Sequence, residues 1–421
     1  MSTIPTIALI PSGFKAGKVY SVLPINGDGD LTFKRNDTGA RLNKSGSMEQ
    51  VAVDTPRLDH SDGGCPSLLL EPSSTNLATY SENYVGQYPW YIVKAIGTSG
   101  IPSPDGGNNA TKIVINDGVD ASYNGAGLRR SFELVPDSSG NRKIYTFSIF
   151  VKKAELNNAH LRVGASSANK VGLYFNLNDG SLLKEDIVGF ENVSHSIKDH
   201  GDDWWRISMS FKSSEVTTHT VYLWTFKSDN YSYDAGDGLN GIYAFGAQLE
   251  KGRLTSYIPS PGFQPQTRAE DKASKSGLSS YISSTAGVLY GEFAAFNSND
   301  NTYRVFSLSD GTGNTANRIF IGFQNTNTIY AYVGKKSIAY YTPTDATEFN
   351  KVALKYENGK HKLFVNGVQI GSTEPTAIVP SGMDRLGLDS SWGSSKFHAK
   401  VRDIRVYNTV LTDAELATLT T

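Results

Sequence analysis

Three kinds of residue in this sequence could do chemistry: carboxylates in pairs, carboxylates in glycine-rich loops, and aromatic rings in polar surroundings. The densest carboxylate clusters are Glu185-Asp186 and Asp202-Asp203, and carboxyls set side by side can divide into acid and base. Both read as solvated loop charges. "GDGDL" at Gly27 and "DAGDGLNG" at Asp234 have the oxygen-rich look of calcium loops, but neither completes the D-x-D-x-D-G-x5-E pattern. Turn formation is the simpler reading, with a structural calcium ion as the alternative, and no other cofactor is expected. There is no G-x-S-x-G, H-E-x-x-H or Walker sequence, and the seven histidines lie scattered. The single cysteine, Cys65, excludes an internal disulfide framework and a thiolate-rich zinc site. Cys65 reads as a small buried hydrophobe.

The aromatics are more informative. "NYVGQYPWYI" crowds Tyr84, Tyr88, Trp90 and Tyr91 into a loop-like stretch, and an aromatic ring offers a sugar both an apolar face and, in tyrosine and tryptophan, a polar edge. Tyr84, Tyr88 and Trp90 are therefore one set of glycan-contact candidates. Tyr340, Tyr341 and Trp392, in loop-like parts nearer the C-terminus, are the other. Packing is the competing reading for each. Trp204 and Trp205 are adjacent, so on a strand they point to opposite faces, with Trp204 expected in the core.

The elements that must position these residues are strands. Across 421 residues, 41 glycines, 22 tyrosines and 19 phenylalanines stand against four methionines, which favours β-structure with tight turns. Segments such as "YTFSIFVKKA", "WWRISMSFKSS" and "HTVYLWTFKSDN" are short, turn-bounded and free of helical crossovers, the mark of antiparallel sandwiches. "YTFSIFVK" alternates with a period of two, as for a sheet with one buried face. Residues 1–65 read as an N-terminal arm of strands too poor in apolar residues for its own core, with a hairpin corner at Lys44-Ser45-Gly46. Residues 66–262 form a first jelly roll, 263–285 a linker, and 286–421 a second sandwich. Asn358-Gly359 and Asn366-Gly367 each fit a two-residue type I′ turn. Thr412 caps a short C-terminal helix. The fold class is all-β: two antiparallel β-sandwiches, an N-terminal strand arm and a short C-terminal helix.

A net charge of -1, with no basic stripe, excludes an electrostatic case for nucleic acid or anionic membrane. The N-terminus lacks a basic n-region, so it makes a poor signal peptide, and no apolar run is long enough to span a membrane. A soluble, cytoplasmically made chain is the expectation.

Two ordered sets of motifs resemble known families. "DLTFKRNDTGARLNKSGSMEQVAVDTPRLDH", "CPSLLLEPSSTNLATYSE", "SPDGGNNATKI", "YTFSIFVK", "WWRISMSF" and "AFGAQLEKGRLTSYIPSPG" together resemble a module of tailed-bacteriophage virion proteins, including those of Bacteroidetes and crAss-like phages. Its jelly roll is similar to carbohydrate-binding modules. "GVLYGEFAAF", "NKVALKYENGKHKLFVNGVQIG" and "FHAKVRDIRVYNTVLTDAEL" resemble a concanavalin A-like or laminin-G-like lectin sandwich. The resemblance implies a non-enzymatic virion structural protein, a tail or capsid fibre or decoration component. It also implies a homo-oligomer, usually a trimer, contacting other virion proteins and cell-surface glycans. "LLLEP" would then be an entry strand of the first jelly roll, and residues 1–65 a docking segment. The alternatives are a bacterial surface or secreted glycan-binding adhesin and, third, a polysaccharide depolymerase. The lectin-like fold hosts glycanases carrying E-x-D-x-x-E, in which acid and nucleophile flank the glycosidic bond. No glutamate here is followed two residues later by aspartate.

Overall fold

The computed structural model describes residues 4–421 apart from 12, 121–125, 137, 165, 167, 213–216, 227–230, 234, 297–301 and 392. Two compact units emerge. Unit 1 comprises Met1–Arg41, Val51–Ser73 and Ala269–Thr421, and unit 2 comprises Leu42–Gln50 and Ser74–Arg268. Both are antiparallel β-sandwiches, as expected.

In unit 1 one sheet orders Val368–Glu374, His361–Val365, Asn350–Glu357, Ala286–Ala294, Lys400–Tyr407, Ser67–Leu69 and Arg57–Asp59, with Ile7–Leu9 also paired to Lys400–Tyr407. The facing sheet runs from Phe14–Lys15 and Lys18–Val19 through Leu31–Lys34, Lys272–Lys275, Arg385–Gly387, Arg304–Ser309, Arg318–Phe323 and Ile329–Val333 to Lys336–Tyr341. Phe293, Phe306 and Phe397 meet edge to face in the core between them, with centroids 5.0–5.7 Å apart. The placement of "LLLEP", of the 263–285 segment and of Cys65 departs from expectation, while the N-terminal arm packs on another core as expected. Leu68 and Leu69 pair with Val401 and Lys400, so "LLLEP" belongs to the C-terminal sandwich rather than opening the first jelly roll. The segment read as a linker supplies the strand Lys272–Lys275 and the buried Ala273, Leu278 and Ile282. The N-terminal arm, poor in core of its own, contributes Ile7, Leu9, Leu31 and Phe33 to this one. Cys65 is exposed, against the expectation of burial.

The hairpin signals are half kept. Asn366 and Gly367 have φ of 47° and 86°, as a type I′ turn demands. At Asn358-Gly359 only the glycine has positive φ, 79°, and the Lys360 N–H closes the turn on Glu357 O, so this turn is not type I′. The helix Asp413–Thr420 starts as expected: Thr412 accepts from the Glu415 N–H, while the Glu415 carboxylate accepts from the Thr412 N–H. It buries Leu416 against Tyr407, Val288 and Phe364.

Unit 2 also has two sheets. The first orders Tyr91–Val93, Gly127–Glu133, Thr218–Thr225, Asn158–Gly164, Lys170–Asn176 and Leu182–Val188; the second orders Ala95–Ile101, Ala110–Ile115, Gly241–Lys251, Ile144–Lys153, Trp204–Lys212 and Glu191–Asp199. Phe147, Ile149, Val151, Leu161, Leu173, Phe175, Ile207 and Phe211 fill the space between them. The strand Ile144–Lys153 is buried on both faces from Tyr145 to Val151, not on one as its alternation implied. Phe150 packs edge-on against Tyr257, and Arg206 donates to Thr255 O and Ser148 Oγ, so the second face carries its own layer. Trp204 lies in that layer beside Phe245. Trp204 is buried, as expected of the core member, while Trp205 is half-buried and packs against the sandwich core, its Nε1 donating to Leu177 O at 3.0 Å. "SSTN" begins this unit: Asn76 donates to Ala247 O and Ile258 O and accepts from the Ala78 and Leu249 N–H groups.

Inside unit 1, four ions are buried together. Arg57 bridges Glu71 at 2.5 Å and also pairs with Asp271, whose other oxygen accepts from Arg35 at 3.1 Å. Arg35 further donates to Asp37 O, Ala52 O and Thr55 O. Two cations balance two anions. Burial alone would push the Arg57 pKa down, but the charges of Asp271 and Glu71 more than offset it and hold Arg57 above its ordinary value. Removing one partner of a buried pair leaves an uncompensated charge, at about 3–5 kcal/mol. We expect Arg57→Met to lower stability by that amount in urea unfolding followed by circular dichroism. Lys34→Ala, which breaks the exposed pair to Asp54 at 3.0 Å, should cost less than about 1 kcal/mol.

Candidate functional site

In unit 1 the strands Arg318–Phe323, Ile329–Val333 and Lys336–Tyr341 point Ile319, Ile321, Ile329 and Val333 into the core. Strand alternation therefore sends Phe320, Tyr330 and Tyr332 to the other face, with Tyr340 paired to Tyr330 in register. Phe320 and Tyr332 stack at 5.1 Å, Tyr330 and Tyr340 at 6.4 Å, and the Tyr332 and Tyr340 hydroxyls hydrogen-bond at 2.8 Å. That bond, then partial burial, raises the Tyr332 pKa. Tyr303 extends the surface, 6.0 Å edge-on from Tyr330. Arg318 lies over Phe320 at 4.9 Å and donates to Ser390 O. Tyr340 and Tyr303 are 46% and 49% exposed, so the platform ends in two accessible rings. Rigid rings with hydroxyl edges suit a ligand that presents both C–H faces and hydroxyls.

In unit 2 a row of register partners crosses the outer face of the first sheet: Tyr91, Arg129, Tyr222, Arg162, Gly172 and Asp186. Arg129 sits over the Tyr91 ring at 5.7 Å and Arg162 over Tyr222 at 5.5 Å. The adjoining row is Trp224, His160, Tyr174 and Lys184. His160 stacks on Tyr174 at 3.9 Å and is held far below its ordinary pKa, first by burial and then by the charges of Arg162, Lys170 and Lys184.

The sequence-derived candidates divide accordingly. Tyr84 and Trp90 are corrected as surface contacts: they are 1% and 4% exposed and stack on each other at 4.9 Å in the unit 2 core. Their polar atoms are spent internally, Tyr84 Oη donating to Ser81 O and Trp90 Nε1 to Thr79 O. Tyr88 is 75% exposed and meets Tyr91 edge to face at 6.1 Å, which places it at the end of the Tyr91–Asp186 row. Tyr340 belongs to the unit 1 platform. Tyr341, one residue on, turns to the opposite face and packs against the core. Trp392 lies outside the described residues. Tyr332, Tyr330, Phe320, Tyr222, Arg129 and Arg162 were not singled out from the sequence. The usable signal was the second phase of "RIFIGF", "TIYAYVG" and "HTVYLWTF", in which the positions opposite the core are aromatic instead of polar.

The acidic candidates are engaged locally. Glu185 pairs with His195 at 2.7 Å and Asp186 with Lys170, both carboxylates on the strand Leu182–Val188 and not in a loop. Asp202 and Asp203 form a turn with φ of 50° and 62°. In "GDGDL", Asp30 accepts from the Ser21 N–H and hydroxyl, and Asp28 from the Tyr281 hydroxyl. Asp234 lies outside the described residues. Among the described residues no group of three or more His, Cys, Asp or Glu is placed to hold a metal ion.

Residues 293–417 match the family model of the concanavalin A-like lectin/glucanases superfamily, laminin G type, a span that contains the unit 1 platform. Comparison of the sequence with curated proteins gave no match. Solved structures similar to parts of the chain include the IT-sialidase CBM40 of Ruminococcus gnavus, at 20% identity over 33% of this chain and 84% of that one, TM-score 0.27. Domain 4 of the Geobacillus stearothermophilus arabinanase AbnA is 16% identical over 40% and 82%, TM-score 0.28. Trypanosoma rangeli sialidase is 11% identical over 64% and 53%, TM-score 0.29. TM-scores this low say nothing about ligand or activity.

His160 and His200 make unit 2 acid-sensitive. Burial, then Arg206 and Lys198, pushes His200 down to about 3. Both folded values lie below the unfolded value of about 6.5, so the unfolded state binds protons first as pH falls. Stability is full above about pH 6.5 and declines below it toward the folded pKa, by up to roughly 1.4 kcal/mol per pH unit for each histidine. Calorimetric melting from pH 8 to pH 4 should show a falling midpoint below 6.5, with a shallower fall in His160→Phe.

Proposed function

We propose that the protein is a non-enzymatic carbohydrate-binding component of a tailed-phage particle. In this reading it is displayed on the virion surface as a fibre or decoration element and assembled as a homo-oligomer, a trimer by resemblance. The observation that carries the carbohydrate reading is the exposed Tyr332–Tyr340 pair on a rigid aromatic platform inside the lectin-like residues 293–417. Support for the virion setting comes from the ordered motifs across residues 1–262 that resemble virion modules. No E-x-D-x-x-E strand is present, and the prominent carboxylates are held in local pairs and turns. An open platform gives weak single contacts, and display in many copies raises avidity by about 10² to 10⁴ without a new contact.

A glycan array probed with the full-length protein should give signal. The Tyr332→Ala/Tyr340→Ala variant, shown folded by circular dichroism, should bind about tenfold more weakly, the loss of roughly 1.4 kcal/mol of aromatic contact. Silence from the wild-type protein, or undiminished binding by the variant, would remove the platform as a sugar site. Electron microscopy of purified particles with antibody against residues 286–421 tests the virion assignment, and unlabelled particles would refute it. Release of reducing ends from host polysaccharide at high protein concentration would refute the non-enzymatic reading.

A further inference from the structure

We infer that the outer face of the first unit 2 sheet takes a carboxylate-bearing saccharide at Arg129 and Arg162, whose guanidinium groups lie over the Tyr91 and Tyr222 rings. The inference rests on the carbohydrate-binding reading and adds a second site with its own ligand chemistry.

Register places the three side chains together. Tyr222 is the direct partner of Arg129 on one neighbouring strand and of Arg162 on the other, so all three share one face, and the arginine Cα atoms stand roughly 10 Å apart, two strand spacings. The Tyr222 ring does not float. It packs 4.7 Å from Trp224, which in turn contacts His160, stacked on Tyr174. Trp224, His160 and Tyr174 thus hold Tyr222 in place beneath the Arg162 guanidinium, and a ligand bound there costs little freedom in the protein.

Charge complementarity selects the ligand. Among the described residues no carboxylate stands within ion-pair distance of Arg129, Arg162 or Lys184; Asp186, in the same row, is taken by Lys170. Arg162 makes one hydrogen bond, from Nη2 to Ser166 O at 2.7 Å, and its buried Nε has no partner. Trp224 and His160, each 2% exposed, lie beneath Tyr233 and support this face from below. Planar guanidinium groups match a carboxylate with two parallel hydrogen bonds, and a neutral sugar cannot exploit that geometry.

Isothermal titration of the full-length protein with oligogalacturonate and with sialyllactose, against lactose and carboxyl-reduced oligogalacturonate, tests the inference. At least one acidic probe should bind tenfold or more tightly than its neutral counterpart, and which one binds separates uronate from sialate. Raising sodium chloride from about 0.05 to 0.5 M should weaken it. Arg129→Gln/Arg162→Gln should erase the preference, Arg162→Lys should keep part of it, and Tyr222→Ala should weaken binding of the acidic probe. Equal affinity for the acidic and carboxyl-reduced sugars, or unchanged binding by the double glutamine variant, overturns the inference. Loss of acidic binding in Tyr332→Ala/Tyr340→Ala also overturns it, because the ligand would then sit on unit 1. Array binding that depends on Tyr340 while no acidic probe binds defeats this site alone and leaves the carbohydrate reading of unit 1 intact.

Discussion

The completion of unit 1 depends on four buried ions that no single stretch of sequence supplies. Arg35 and Arg57 come from the first strands, Glu71 from the end of "LLLEP", and Asp271 from a point 200 residues later. Desolvating four charges is costly, and only their mutual pairing makes it tolerable. The cluster therefore discriminates: a chain in which any one segment is misplaced leaves a bare charge in the interior. The Glu71 N–H donates to Asp271 and the Asp271 N–H to Glu71 O, so backbone and side chains fix the same pairing.

The same economy explains the two ligand faces. Each sandwich buries one phase of its strands and has a second phase to dispose of. In unit 1 the outer phase of the Arg318–Phe323 and Ile329–Val333 strands is aromatic, and the rings stack on one another before they meet solvent. In unit 2 the outer phase mixes rings with guanidinium groups, which lie over aromatic faces. Rigidity in both places comes from ring packing and register, not from loops.

Much of this was legible in the sequence. Strand content, antiparallel pairing, the Asn366-Gly367 turn and the Thr412 cap follow from local chemistry, which the structure does not override. What failed depended on distance along the chain. "LLLEP" reads as a buried strand and is one, but nothing local says that its partner is Lys400–Val401 rather than a strand of the following jelly roll. The 263–285 stretch is polar enough to be called a linker because its one buried acid, Asp271, looks like surface until Arg35 and Arg57 are seen beside it. At the sites the errors have a different origin. Trp90 and Tyr84 were chosen because a cluster of aromatics in a loop suggests a surface, whereas a loop that crosses the end of a sandwich must plug it. Tyr340 lies on the outer face because its neighbours alternate cleanly, and Tyr341 fell to the other face by the same rule.

The division of unit 1 around unit 2 has a temporal side. During synthesis the first 73 residues emerge with strands whose partners, Lys272–Lys275 and Lys400–Tyr407, do not yet exist. Unit 2 is nearly continuous and can close on itself while they wait. Unit 1 is thus obliged to finish last, through pairings of very long sequence separation that are slow to form and leave strand edges open meanwhile. Until Asp271 arrives, any wrong pairing that buried these early strands would also bury Arg35 without its carboxylate, so the charges that complete the native core make premature closure costly.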